Sequence, residues 1–243
     1  MPAIEQPTEL QRVFWNEWNA STREISLSKV SLEQADIIVS WLEGLGRKDL
    51  KIIEIGCGAG WLCSRLTRFG QVTGTDLSDE VLARAAARTP AARFVAGDFM
   101  ALDFNTANYD VAISLEVLSH VADQEAFLGK ISRLLKPGGH VMLATQNKPA
   151  LQRNTIPAPK PGQLRRWVDR HELRQLLTKD FQVRDLFSIT PIFNRGLLRL
   201  VNSYKLEKLL TMIRLGNVVT RVKKVQQDAW LGWTLMALAR KPD

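Results

Sequence analysis

The stretch Ile52–Leu62, IIEIGCGAGWL, sets three glycines at every second position behind a β-branched run. A short apolar run holding one acid is the pattern of a buried strand, and Trp61 to Phe69 carries apolar residues at 62, 66 and 69, a helical spacing. The glycines therefore fall in a strand-to-helix turn. Without Cβ atoms they let backbone amides come close to a ligand, and the start of the following helix offers unpaired N–H groups. A nucleotide-like ligand suits such a turn. The dinucleotide fingerprint Gly-x-Gly-x-x-Gly/Ala does not match, because Trp61 stands where its third small residue belongs. The Gly-Lys-Ser/Thr ending of a phosphate loop is absent as well.

Around the turn, strand and helix patterns alternate. Gln71 to Asp76, Arg93 to Asp98, Tyr109 to Leu115 and His140 to Thr145 read as strands. Helices are expected from Ser78 to about Arg88 and from Glu125 to Leu135, with Lys136–Gly139 turning into the next strand. This alternation predicts the α/β class, a doubly wound, mostly parallel sheet with helices on both faces. Residues 9–45 have helical apolar faces, with Leu10, Val13, Phe14, Trp18, Ile37, Ile38, Trp41 and Leu42, and read as an N-terminal helical cap. Residues 147–166 are rich in Pro and basic residues without a period and read as a long lid loop. Asp169 should start a helix to Leu177, strands are expected at 181–189 and 233–239, and a basic amphipathic insert runs from about 197 to 225. The length suits one domain, divided into cap (1–48), cofactor-binding core (49–146), lid loop and helical insert (147–232) and closing strand (233–243).

The chain opens without a basic start leading into an apolar run, and no segment holds about eighteen uninterrupted apolar residues, so a cytoplasmic location is expected. Cys57 and Cys63 are the only cysteines and have no Cys/His cluster beside them, which predicts neither a zinc site nor a structural disulfide. The net charge of +8 suits nucleic acid, an acidic substrate or an anionic membrane surface.

Asp76 and Asp98 close successive strands, and in a doubly wound sheet ligands bind beyond the carboxyl ends of the strands, at the switch point. Both carboxylates would converge on the glycine turn. There a carboxylate accepts from both hydroxyls of a ribose, and acids suit a positively charged ligand better than a phosphorylated one. With these residues in place the chain resembles the class I S-adenosylmethionine-dependent methyltransferases, and is similar to the ubiquinone-pathway O-methyltransferase type. EIGCGAG (54–60), Asp76 in TGTDLS, the Gly97-Asp98-Phe99 step, SLEVLSHV (114–121) and LLKPGGHVMLAT (134–145) carry the resemblance, which spans roughly residues 50–190 and the closing strand.

The resemblance implies a Rossmann-like seven-stranded methyltransferase fold, S-adenosylmethionine as cofactor, and a small-molecule acceptor, with a hydroxyl of a quinone, polyketide-like or sugar-containing molecule expected. The implied cofactor-binding residues are Glu54, Gly56, Cys57, Gly58, Gly60, Asp76, Leu77, Asp98, Phe99 and Leu115. The glycines would pass beneath the amino-acid part, Asp76 would take the ribose hydroxyls, and Asp98 with Phe99 would edge the adenine. Leu115 would line the methionine side, and Glu54 would order the turn or meet the cofactor's amine. From the cap, Trp15, Trp18, Arg23 and Lys29 are candidates for a further contact.

Methyl transfer from a sulfonium is an in-line displacement, so the protein chiefly aligns the partners and excludes water. A hydroxyl acceptor also needs a base, and His120, just past the fourth strand, is the candidate. His140 opens a strand and His171 lies in the helix after the loop, which makes both weaker candidates. No metal is expected, because the acid cluster of the metal-dependent catechol-type relatives is not found. A nucleic-acid methyltransferase is the alternative that the charge suggests. Ser114-Leu115-Glu116-Val117 stands where amino-directed base methyltransferases resemble one another in an Asp/Asn-Pro-Pro-aromatic step, which argues against nucleic acid as partner. A cofactor-binding protein without turnover is the third reading.

In the insert, Leu198, Val201, Leu206, Leu209, Leu210 and Ile213 form one apolar face, and Arg199, Lys205, Lys208, Arg214, Arg221, Lys223 and Lys224 a basic one. Packing on its own domain, contact with an anionic membrane, cover for the acceptor and a homodimer all stay open. The insert and the 147–166 loop are expected to wall the acceptor pocket together.

Overall fold

A strand covered on both faces needs apolar side chains at successive positions, and in Leu50–Ile55 every residue except Lys51 is buried. In the computed structural model, which describes residues 7–201, 208, 212 and 216–243, that strand lies at the centre of one sheet. The strands are β1 (Leu50–Ile55), β2 (Gly70–Asp76), β3 (Ala92–Ala96), β4 (Tyr109–Leu115), β5 (Leu135–Gln146), β6 (Gln182–Ile189) and β7 (Thr234–Arg240). They run in the order β3-β2-β1-β4-β5-β7-β6. The first five are parallel, with Ile52 facing Val72 and Val111 across β1. β7 is antiparallel to both β5 and β6. This is the expected doubly wound, mostly parallel seven-stranded sheet.

The described helices are α1 (Thr8–Trp18), α2 (Lys29–Gly44), α3 (Cys63–Leu66), α4 (Asp79–Arg88), α5 (Gln124–Leu134), α6 (Lys148–Gln152), α7 (Arg170–Leu177), α8 (Gly196–Val201) and α9 (Gly216–Asp228). Successive strand residues point to opposite faces, and the two cores follow from that. α5 and α7 bring Phe127, Leu128, Ile131, Leu173 and Leu177 onto Ile53, Ile55 and Val141. α2, α3 and α4 bury Ile38, Leu42, Leu66 and Leu82 against Ile52, Ile113 and Met142. No helix among the described residues is long and apolar enough to cross a membrane.

Four boundaries differ from the sequence expectation. The helical run at 9–45 is two helices. α1 passes into a π turn at Asn19–Arg23, and α2 restarts behind Ser28, whose Oγ accepts the Ser31 N–H at 3.1 Å. Apolar period does not register that break, although the Ser28 cap is a start signal. The helix after the glycine turn shrinks to α3 and a 3₁₀ turn, Thr67–Phe69, because β2 already begins at Gly70. The Lys136–Gly139 turn lies inside β5, where Leu135 pairs with Tyr109 and the register slips before Val111. The 147–166 loop opens with α6, and Asn147 and Val168 at its ends form a β-bridge.

Gly70 has φ +147, and a Cβ there would stand 2.0 Å from the Leu50 carbonyl oxygen, whereas a Cβ at Gly44 on α2 meets nothing within 4 Å. Gly70→Ala should therefore destabilise the protein by about 2–3 kcal/mol. Gly44→Ala should stabilise it by about 0.4–1 kcal/mol, by restricting the unfolded chain. Urea unfolding checks both, and equal midpoints for the two variants would contradict the strand geometry.

Candidate active site

The glycine turn is built from left-handed residues, with φ +75 at Gly56, +52 at Gly58 and +69 at Gly60. The Thr75 carbonyl accepts N–H groups from Gly56 and Cys57 at 2.7 and 3.1 Å. Asp76 holds the next step: its Oδ2 accepts the Gly58 N–H at 2.7 Å, and its Oδ1 accepts the Ser78 N–H at 2.8 Å. A Cβ at Gly56 would strike Val117 Cγ2 at 2.1 Å, so the bare glycine lets the chain after β4 close on the turn. Gly60 serves packing, since its missing Cβ makes room for Ala85 and the Phe94 ring at 3.0 Å.

A cavity of about 1010 Å³ opens over this turn. Glu54, Gly56, Cys57, Gly58, Asp76, Leu77, Asp98, Phe99 and Leu115 all line it, whereas Gly60 does not. Asp98 Oδ1 accepts the Met100 N–H at 2.9 Å. Phe99 is 8% exposed, with the Phe127 ring at 5.4 Å and Lys130 Nζ 5.1 Å from its own centroid. Thr75 Oγ1, buried without a hydrogen-bond partner, belongs to a residue of the same lining.

Glu54 is 2% exposed, and its Oε2 accepts from Cys63 Sγ at 3.0 Å. Burial pushes its carboxyl up to about 8, and the nearby Asp76 charge adds to that rise. Burial also pushes the Cys57 thiol up to about 11, and a hydrogen bond with Cys57, followed by burial, pushes Cys63 up. Both thiols are free and buried, so neither is poised as a thiolate.

The opposite wall comes from the cap. Trp15, Trp18 and Arg23 line the cavity, and Lys29 does not. Asn19 covers the turn, with its Nδ2 donating to Ser78 Oγ at 2.7 Å and its Oδ1 lying 3.0 Å from where a Gly58 Cβ would stand. Arg23 stacks over Trp18 at 5.0 Å and donates to Ser31 Oγ, and burial lowers its pKa.

His120 lies in this wall, 4.7 Å from the Trp15 ring between centroids. Its Nδ1 is 2.6 Å from the Leu164 carbonyl, which can only accept, so Nδ1 carries the proton and Nε2 the lone pair. Burial pushes its pKa down to about 4. His140 and His171 are not among the lining residues. The lid places Leu164 through two bonds, Arg166 N–H to the Ser119 carbonyl at 2.7 Å and Gln124 Nε2 to the Arg166 carbonyl at 2.8 Å.

Sequence reasoning named neither Gln34 nor Glu116 as a site residue, yet both line the cavity and bond to each other at 2.6 Å. Only their place beside the strand ends shows it. The lid contributes Gln163 and Leu164, while no described residue of the 197–225 insert lines the cavity. α9 instead docks on β6, where Ser188 Oγ donates to the Gln227 carbonyl at 2.8 Å. Leu206, Leu209, Leu210, Ile213, Lys205 and Arg214 lie outside the described residues. Among the described residues, no group of three or more His, Cys, Asp and Glu side chains is placed to hold a metal ion.

The Glu54 carboxyl gives a signed pH effect. Its folded value, about 8, lies above the ordinary 4.5, so the folded protein keeps a proton that the unfolded chain releases. Stability from this group is therefore present below 4.5 and is lost as pH rises through 8. Glu54→Gln should lack that loss, gaining several degrees in Tm over the wild type as pH rises from acid to mildly alkaline. Parallel Tm curves for the two proteins would contradict the burial of a neutral carboxyl.

Residues 53–143 match the family described as the methyltransferase domain. A ubiquinone biosynthesis O-methyltransferase of Rhodopseudomonas palustris (strain BisA53) is 38% identical over 108 residues, 41% of each chain. One of Bradyrhizobium sp. (strain ORS 278) is 35% identical over 103 residues, again 41% of each. The chain thus spans about two fifths of the length of the curated relatives it matches. Among solved structures, the N-methyltransferase NodS of Bradyrhizobium japonicum WM9, in complex with S-adenosyl-L-homocysteine, superposes with a TM-score of 0.67 at 15% identity, covering 96% of this chain and 100% of that one. The Burkholderia thailandensis 1,6-didemethyltoxoflavin-N1-methyltransferase gives 0.64 at 20% identity, covering 99% and 94%. With the glycine turn, the acids at the strand ends and the sheet order already in place, residues 53–143 carry the similarity to the methyltransferase domain, and the solved methyltransferase structures share the fold of the chain.

Proposed function

We propose that the chain moves a methyl group from S-adenosylmethionine to a hydroxyl oxygen of a small molecule. One observation carries this reading: a single cavity runs from the glycine turn to the Trp15–His120 wall, and its volume of about 1010 Å³ stands at the upper end of ligand sites, which span about 300–1,000 Å³. That is room for a cofactor and an acceptor side by side.

The residues present fit the cofactor. The turn is a cradle that a Cβ at Gly58 would crowd against Asn19, and among the described residues Thr75 Oγ1 is a buried polar atom without a partner and Glu54 a buried acid bonded to Cys63 with no ion pair. An ammonium and a sulfonium are the charges such acids favour. S-adenosylmethionine would supply an electrophilic methyl group on a positively charged sulfur. Asp76 would hold the ribose hydroxyls, Asp98 and Phe99 the adenine, the glycine amides and Glu54 the amino-acid end, and Leu115 the methionine side.

The chain's own part is then alignment and exclusion of water. Trp15 and Trp18 offer flat apolar faces to a planar acceptor such as a quinol ring, in keeping with the names of the ubiquinone-pathway relatives. His120, with Nε2 as its lone pair, accepts the hydrogen bond of a hydroxyl and stays neutral at every pH above about 4. Its low pKa makes it better at orienting a hydroxyl than at keeping a proton.

Asp76→Ala should abolish measurable binding of S-adenosylhomocysteine in calorimetric titration, because it removes the charge-assisted bonds that hold both turn and ligand. Retained affinity would take Asp76 out of the site. His120→Ala should lower methylation of a phenolic acceptor by about a hundredfold with cofactor affinity kept. Near-normal turnover would show that His120 only packs against Trp15.

A further inference from the structure

A non-glycine residue in the left-handed region is strained and persists only where its surroundings hold it. Glu116, the first residue after β4, is one, with φ +63. Its N–H donates to the Ala144 carbonyl at 2.8 Å, and the next residue, Val117, fills the space that Gly56 leaves open. The strained turn brings the Glu116 carboxyl into the lining of the cavity, one residue from the chain that closes on the glycine turn.

Two elements clamp that carboxyl. Gln34 Nε2 of α2 donates at 2.6 Å and Thr234 Oγ1 of β7 at 2.9 Å, both to the same oxygen, Oε1. Gln34 is 1% exposed and Thr234 fully buried, so the clamp is rigid and dry. Oε2 receives neither of these bonds, and the Gln146 side chain in the same lining is a further partner of the carboxyl. Arg23, whose charge acts on Glu116, makes no ion pair among the described residues. A half-buried acid clamped on a strained backbone in the lining of the cavity is a costly arrangement for packing alone.

We propose that Glu116 is a catalytic residue that takes the hydroxyl proton of the acceptor on its Oε2 as the methyl group is transferred. This role rests on the hydroxyl-methylation reading above. The acceptor oxygen bonds to the methyl carbon, the carbon–sulfur electron pair stays on sulfur, and the proton moves from that oxygen to Oε2. A carboxylate and a sulfonium become a carboxylic acid and a thioether, so opposite charges vanish together. Burial raises the pKa of Glu116, so the acid keeps the proton it receives, whereas His120, at about 4, releases one. His120 Nε2 then accepts from a second hydroxyl or from water.

The test compares catechol with 4-nitrocatechol, whose nitro-activated hydroxyl is already ionised at mildly alkaline pH and needs no base. Glu116→Gln keeps an oxygen for Gln34 and Thr234, so the fold and the clamp survive. Titration with S-adenosylhomocysteine should give wild-type affinity for this variant. Its methylation of catechol should fall by about 10²–10⁴-fold, and that of 4-nitrocatechol by less than about tenfold. His120→Ala should lose comparably on both probes. Equal losses of Glu116→Gln on both probes, no loss on catechol, or selective loss in His120→Ala instead, would overturn the role of Glu116 alone. Wild-type protein that binds S-adenosylhomocysteine yet methylates neither probe overturns the hydroxyl reading and this role with it.

Discussion

The carboxylate of Asp76 collects two backbone N–H groups, from Gly58 and from Ser78, at 2.7 and 2.8 Å. Bonds from N–H groups to an ionised acceptor are short and strong, and these two join β2 to the turn after β1 and to the start of α4. The start of α4 in turn holds the cap. Asn16 donates to Asp79 at 2.8 Å, Arg12 to Asp79 at 2.9 Å and Asn19 to Ser78 at 2.7 Å. The Arg12–Asp79 pair is partly exposed and contributes little, so the buried amide bonds of Asn16 and Asn19 matter more. Through them α1 brings Trp15 and Trp18 to the wall facing the turn. The tryptophan wall of the cavity thus depends on the same carboxylate as the glycine turn.

The charge of the cavity and the charge of the chain have opposite signs. The protein carries +8 overall, yet Glu54, Asp76, Asp98 and Glu116 all line the cavity. Many arginines are spent outside it, as where Arg84 and Arg88 both meet Glu24. These four acids, which Asp123 joins in the lining, are not equivalent. Asp76 and Asp98 accept backbone N–H bonds at strand ends, whereas burial pushes Glu54 and Glu116 up. A carboxyl taken out of water is unfavourable as a charge. A ligand that brings positive charge relieves that cost, which is why the pattern fits a sulfonium better than a phosphate.

The 147–166 loop shows how an irregular stretch behind a short helix can orient a site side chain. Its Leu164 carbonyl decides which nitrogen of His120 carries the proton, and its own position comes from bonds to Ser119 and Gln124 at the far end of β4. The antiparallel β7 has a similar effect at longer range. By bringing Thr234 beside the end of β4 it completes the clamp on Glu116, 118 residues away in the chain. Neither the 147–166 loop nor β7 belongs to the parallel half of the sheet, and each fixes one titratable side chain of the cavity wall.

The glycine turn, the acids Asp76 and Asp98, the alternation of strands and helices and the seven-stranded sheet were all legible in the sequence. Glycine spacing, period-2 burial and helix caps are local, and each acts through residues a few positions apart. Spacing alone does not tell Gly56 and Gly58, which line the cavity, from Gly60, which admits the Phe94 ring. The shortened α3 and the register slip at the start of β5 are hidden as well, since each is set by how neighbouring strands pair. Only the tertiary structure brought Gln34, Glu116 and Thr234 together, chose the His120 tautomer and laid Trp15 across from the turn. Those contacts join positions tens to hundreds of residues apart, and their geometry comes from packing around the sheet, which no local pattern encodes.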